Sequence, residues 1–196
     1  MYNPKLKLTM ARADNNLFMS NLSGTIGNQM TIRHRGGSTI VSKKQKKSKK
    51  RSTEAQLEVQ EKFSGAILYA NKVMLDPDLK ALYKAVALPG QNAHNMAVRD
   101  ARNPPEIKSV ITDNYTGNAG DQIVVRAIDV FRVFQVVVAI YTAAGALLEQ
   151  GNAVMGRNSI DWTYTATKKN TALKGGKIVA MAEDLPGNQT YSEISM

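Results

Sequence analysis

The 196-residue chain carries 26 Lys and Arg against 16 Asp and Glu, a formal net charge of +10, and is 43% hydrophobic. That length suits one ordinary domain with an appendage or two small domains, and the apolar content supports a packed core, which excludes a wholly disordered chain. Cysteine is absent, which excludes a disulfide framework and thiolate metal centres.

The charge is uneven along the chain. Residues 1–51 hold twelve cations against the single acid Asp14, residues 52–102 balance six with six, and residues 103–196 hold eight against nine. The excess therefore belongs to the amino-terminal quarter alone. The opening MYNPKLKLTMARADNNLFMSNLSG is broken by Lys5, Lys7, Arg12 and Asp14 and does not match a secretory leader. The longest apolar run, Val136 to Ala146, contains Thr142 and Gly145 and falls short of the ~20 residues a membrane helix needs. These features predict a chain made soluble in the cytoplasm, without signal peptide or membrane span, and compatible with incorporation into a virion or other large particle.

Residues 1–24 read as irregular. From Gly24 to Val41, GTIGNQMTIRHRGGSTIV sets Met30 and Ile32 on one alternating run and Thr39 and Val41 on another, around Gly36-Gly37. Two such runs about a glycine pair predict a β-hairpin, marginal by itself and in need of a sheet, a subunit or a ligand to pair against. Behind it, Lys43 to Arg51 holds seven cations in nine residues with no acid. Lysines this dense repel one another and stay in solvent. Two readings stand: a phosphate-binding arm formed by Arg33, Arg35, Lys43, Lys44, Lys46, Lys47, Lys49, Lys50 and Arg51, or a solvated linker.

Thr53-x-x-Gln56 predicts a capping box, and Val59, Phe63, Ala66, Ile67, Ala70, Val73 and Met74 recur at three- and four-residue spacing as one helical face. Asp76-Pro77-Asp78 stops that helix and caps a second carrying Leu79, Leu82, Tyr83 and Val86. A third fits between Gln91 and Arg102, before the boundary Asn103-Pro104-Pro105. No chemistry shows on these faces. His34 and His94 stand without ligand-spaced companions and read as structural.

From Glu106 the period shortens to two. Strands are predicted near Ile107–Thr112, Gln122–Ile128, Val133–Thr142, Leu147–Val154, Ser159–Ala166, Lys177–Ala182 and Thr190–Ile194. Short strands at regular spacing predict an immunoglobulin-like sandwich with Trp162 in its inter-sheet core. The acids Asp121, Asp129, Glu149, Asp161, Glu183 and Asp184 fall mostly in turns, where calcium is the cation to consider, but the dense Asp-x-Asp spacing of a calcium loop is missing. Serine and threonine lack a nearby His base, and Gly24-Thr25-Ile26-Gly27 is not a phosphate loop. The chain is expected not to be an enzyme; no catalytic, cofactor-binding or metal-ligating residue is assigned, and no cofactor.

The run Gly24-Thr25-Ile26-Gly27-Asn28, the glycine hairpin, the basic patch and Ser52-Thr53-Glu54-Ala55-Gln56-Leu57 leading to Phe63 resemble a poorly characterised family of small proteins from Bacteroidetes and their phages or mobile elements. Tyr115-Thr116-Gly117, Gly120-Asp121-x-Ile123, Asp129-x-Phe131-x-Val133, Asp161-Trp162 and Asp184-Leu185-Pro186-Gly187-Asn188 are similar to the sandwich that follows in some members. The resemblance implies structural roles and no activity.

The expected architecture is α+β: a basic arm with a β-hairpin over 1–51, a short helical unit over 52–103 and an all-β immunoglobulin-like sandwich over 104–196. The expected function is a non-enzymatic structural or assembly protein, a repeated subunit of a particle or filament, partnered by itself or by other subunits. The alternative is a nucleic-acid-binding protein that uses the basic arm without reading sequence. A weaker third is an adhesion module whose sandwich loops hold a glycan or a protein.

Overall fold

The computed structural model describes residues 11–14, 16–19, 21–44 and 51–196. It is a mixed α+β fold, mostly β, and three helices and three antiparallel sheets appear among the described residues. The chain divides into two compact units, one ending at Glu58 and taking in Leu88–Gln91, the other comprising Val59–Ala87 and Asn92–Met196.

The first unit holds a four-stranded sheet of β1 (Ala11–Arg12), β2 (Gly24–Ile26), β3 (Met30–Arg35) and β4 (Ser38–Lys43), in the order β1-β4-β3-β2. The predicted hairpin is β3–β4. Gly36 and Gly37 take φ of +56° and +79°, the left-handed pair that a two-residue turn matching strand twist demands. A second hairpin joins β2 to β3, with Gly27 and Asn28 also at positive φ and the Gln29 N–H donating to the Ile26 carbonyl oxygen at 3.1 Å. One expectation is corrected and another resolved. Residues 1–24 are not wholly irregular, since β1 lies within them and β2 begins at their end. Of the sheet, subunit or ligand that the hairpin was expected to need, it is a sheet, with β1 and β2 of the same chain pairing on its two sides.

Next comes α1 (Glu54–Leu75), opened by the predicted capping box: the Thr53 N–H donates to Gln56 Oε1 at 3.0 Å, and the Gln56 N–H to Thr53 Oγ1 at 3.3 Å. In the second unit, α2 (Pro77–Ala85) is capped by Asp76, which accepts from the Asp78 and Leu79 N–H groups, and α3 (Ala93–Arg102) is capped by Asn92. Ala70 and Val73 of α1, Tyr83 of α2 and Ala93, Met96 and Ala97 of α3 form one apolar cluster, with Phe131 and Leu185 of the β region packed against it. Only the second half of the predicted α1 stripe is covered; Val59 is 55% and Phe63 42% exposed.

The β region consists of β5 (Glu106–Ile111), β6 (Gln122–Ile128), β7 (Val133–Tyr141), β8 (Leu147–Asn152), β9 (Val154–Met155), β10 (Asp161–Thr165), β11 (Lys177–Asp184) and β12 (Gln189–Ser195). Two four-stranded sheets result, β5-β6-β10-β9 and β12-β11-β7-β8. Alternation aims Ile123, Val125 and Ala127 of β6, Val136, Val138 and Ile140 of β7, Trp162 and Tyr164 of β10 and Ile178, Ala180 and Ala182 of β11 into one buried cluster. Trp162 lies in that shared core, while its neighbour Asp161 pairs with Arg126, Nε and Oδ1 being 2.7 Å apart.

Candidate functional site

The amino-terminal sheet is where the sequence places the phosphate-binding residues. Arg33 and Arg35 alternate onto one face of β3 and are exposed. Register adds a residue the sequence did not single out: Arg12 of β1 is opposite Ile40 of β4, which in turn is opposite Arg33, so all three share that face. Thr25 and Thr31, Ser38 and Ser42 complete it, and no acid occupies a paired position there. The two-residue β1 carries no periodic signal from which the position of Arg12 could be read.

Lys43 does not join this face. Paired with Met30, it alternates to the opposite side with Ile32 and His34. Lys44 follows β4, its ammonium donating to Asn28 Oδ1 and its N–H to the Gln29 carbonyl oxygen. Arg51 is exposed ahead of α1, and Lys46, Lys47, Lys49 and Lys50 lie outside the described residues. His34 is structural: Nε2 donates to the Leu22 carbonyl oxygen at 2.8 Å, which leaves Nδ1 to accept from Thr39 Oγ1 at 3.0 Å.

The second unit holds a buried polar network that the sequence did not announce. Tyr69 of α1 and Tyr83 of α2 share a hydrogen bond of 2.9 Å, and the Tyr83 hydroxyl donates to Asp100 Oδ2 of α3 at 2.5 Å. Phe131 stacks on the Tyr83 ring, with centroids 4.5 Å apart. Tyr83 and Asp100 are both fully buried. Burial pushes the Asp100 carboxyl up to about 7; the Tyr83 hydrogen bond opposes this, and the charges of Asp129 and Asp184 reinforce it. Burial, then the bond to Asp100, also raises Tyr83. A signal existed: Ala93, Met96, Ala97 and Asp100 fall at i, i+3, i+4 and i+7, so Asp100 sits on the apolar stripe of α3.

Each acid considered for calcium is committed to its surroundings. Asp121 Oδ2 accepts from the Thr116 and Asn118 N–H groups at 2.7 and 2.9 Å, which holds its carboxyl below the usual range. Asp161 is held low by Arg126 and then Asn158. Burial pushes Glu149 up, but three donors from Thr167 and Lys168 outweigh it and leave the carboxyl low. Glu183 accepts from Gln135 and Gln189, Asp184 from Asn188, and Asp129 from the Phe131 and Arg132 N–H groups. Among the described residues no group of three or more His, Asp or Glu could hold a metal ion, and no helix is long and apolar enough to cross a membrane.

No protein-family model and no curated protein matches the chain. Among solved structures, the chain is similar to an engineered protein from the Northeast Structural Genomics Consortium, at 16% identity and a TM-score of 0.33, over 49% of this chain and 20% of that one. The chain thus spans about a fifth of that protein's length.

Proposed function

We propose that this chain is a non-enzymatic structural subunit of a larger assembly, its β5–β12 region an immunoglobulin-like sandwich. The order β5-β6-β10-β9 against β12-β11-β7-β8 supports the second part, because it matches strands A-B-E-D and G-F-C-C′ of such domains. The observation that carries the assembly reading is α1. Its apolar stripe continues past the buried Ala66, Ala70 and Val73 into Val59 and Phe63, which are 55 and 42% exposed. Covering two such half-exposed side chains gains roughly 1.5–3 kcal/mol. Association costs on the order of 4–15 kcal/mol, so this stripe alone makes a weak pair, and repeated contacts in an assembly are needed to make it persist. The resemblance to phage and mobile-element proteins of Bacteroidetes points the same way.

Light scattering on the full-length chain is the test. Particles heavier than the monomer are expected, reduced to monomer by Val59→Ser and Phe63→Ser together. A full-length chain that stays monomeric at high concentration overturns the proposal.

A second reading, binding of nucleic acid through phosphates, is favoured by the face that gathers Arg12, Arg33 and Arg35. Affinity for double-stranded DNA should fall as salt rises, and replacing the three arginines with serine should flatten the log–log slope by roughly three. Binding indifferent to salt sinks this reading.

A further inference from the structure

Asp100 has spent one oxygen on Tyr83. Its other oxygen, Oδ1, is buried and receives no hydrogen bond, and the same is true of Asp129 Oδ1 in the turn between β6 and β7. Phe131, whose N–H is held by Asp129, stacks on the Tyr83 ring at 4.5 Å, and Tyr83 donates to Asp100, which brings the two carboxyl groups into one buried neighbourhood where they interact. Two ionised carboxylates in such a place repel at low effective dielectric, and each leaves an acceptor empty; one proton between them removes both costs. Asp129 also receives the Phe131 and Arg132 N–H groups on Oδ2, at 3.3 and 3.1 Å, so its position is fixed by its own turn.

The other titratable groups facing this pair are Tyr69, Tyr83 and Asp184. Asp184 is itself engaged by Asn188, whose N–H and Nδ2 donate at 2.6 and 2.7 Å and whose Nδ2 also donates to the Ala101 carbonyl oxygen of α3 at 3.3 Å. Arg132 is the cation whose field reaches the network, and it lies over the Phe131 ring at 5.9 Å. Asp129 lines a groove of about 480 Å³ beside Phe131 and Arg132, and Tyr69 lines another of about 570 Å³ at the far end of the hydrogen-bonded chain.

We propose that a proton held on Asp100 and facing Asp129 latches α3 to the β6–β7 turn, and that its loss to solvent loosens the helices from the β region. The folded chain holds this proton at pH values where the unfolded chain has released it. The latch is then complete below the ordinary carboxyl value of 3.8 and is lost as pH rises to about 7.

The experiment follows thermal unfolding and amide exchange in α3 from about pH 5 to about pH 8 for the full chain, Asp100→Asn and Asp129→Asn. Either amide can donate to the facing carboxylate in place of that proton, and the Asn at position 100 can still accept from Tyr83. The variants should melt above wild type and exchange more slowly in α3 near pH 8, with the difference closing toward pH 5. Asp129→Asn carries the test if Asp100→Asn does not fold. Parallel curves for wild type and variant, or variants melting below wild type near pH 8, overturn the latch.

Discussion

Gly117 turns with φ of +90°, and a Cβ there would stand 2.6 Å from the Asn170 carbonyl oxygen and 3.1 Å from Leu173 Cγ. The Asn170 N–H donates back to the Gly117 carbonyl oxygen at 2.8 Å, so the 115–121 turn and the segment before β11 are stitched at this residue. Gly117→Ala should cost about 1–3 kcal/mol, read as a lower denaturation midpoint with unchanged slope. Full stability in that variant would mean that the turn relaxes freely. The glycine is visible in the sequence, but the carbonyl it accommodates is 53 residues away, which no local pattern encodes. Asp100 differs. It falls on the apolar stripe of α3, a position that signals burial, while Arg99 and Arg102 around it belong to the charged side of the helix.

At the scale of elements, β6 was legible residue for residue, because Ile123, Val125 and Ala127 alternate strictly and Gly120-Asp121 and Asp129 punctuate the ends. β8 and β9 read as one strand. Ala153 separates them: it is buried, and its N–H donates to the Val136 carbonyl oxygen at 2.8 Å, an interaction that apolar patterning does not distinguish from continued pairing. β1 and β2 were missed because two and three residues are too few to show a period.

The start of α1 was read correctly from its cap, and the cap matters there more than elsewhere. Residues 54–65 are exposed throughout, so tertiary burial contributes little to their helicity. Thr53→Ala should therefore cost the first turns about 0.5–2 kcal/mol. Faster amide exchange over residues 54–58 with an unchanged global melting temperature is expected; a lowered melting temperature would show that the cap supports more than its own helix.

For the molecule as a whole, the charge profile foretold which sheet would be basic, but not how its cations would divide. Pairing puts Arg12, Arg33 and Arg35 on one side and Lys43 on the other, a division that depends on register. The proposed assembly and the alternative nucleic-acid binding would draw on different parts of the chain, the α1 stripe and the arginine face, and substitutions in one should leave the other unaffected. Function stays less legible than fold for a physical reason: strands and helices repeat a period, whereas an interface is a set of exposed side chains whose meaning depends on a second surface.

Trp162, the chain's single tryptophan, is 6% exposed between the two sheets, and its indole N–H has no hydrogen-bond partner. Nature has thereby fitted the β region with its own lamp. Emission from this one indole therefore reports on the packing of the β-region core without any label.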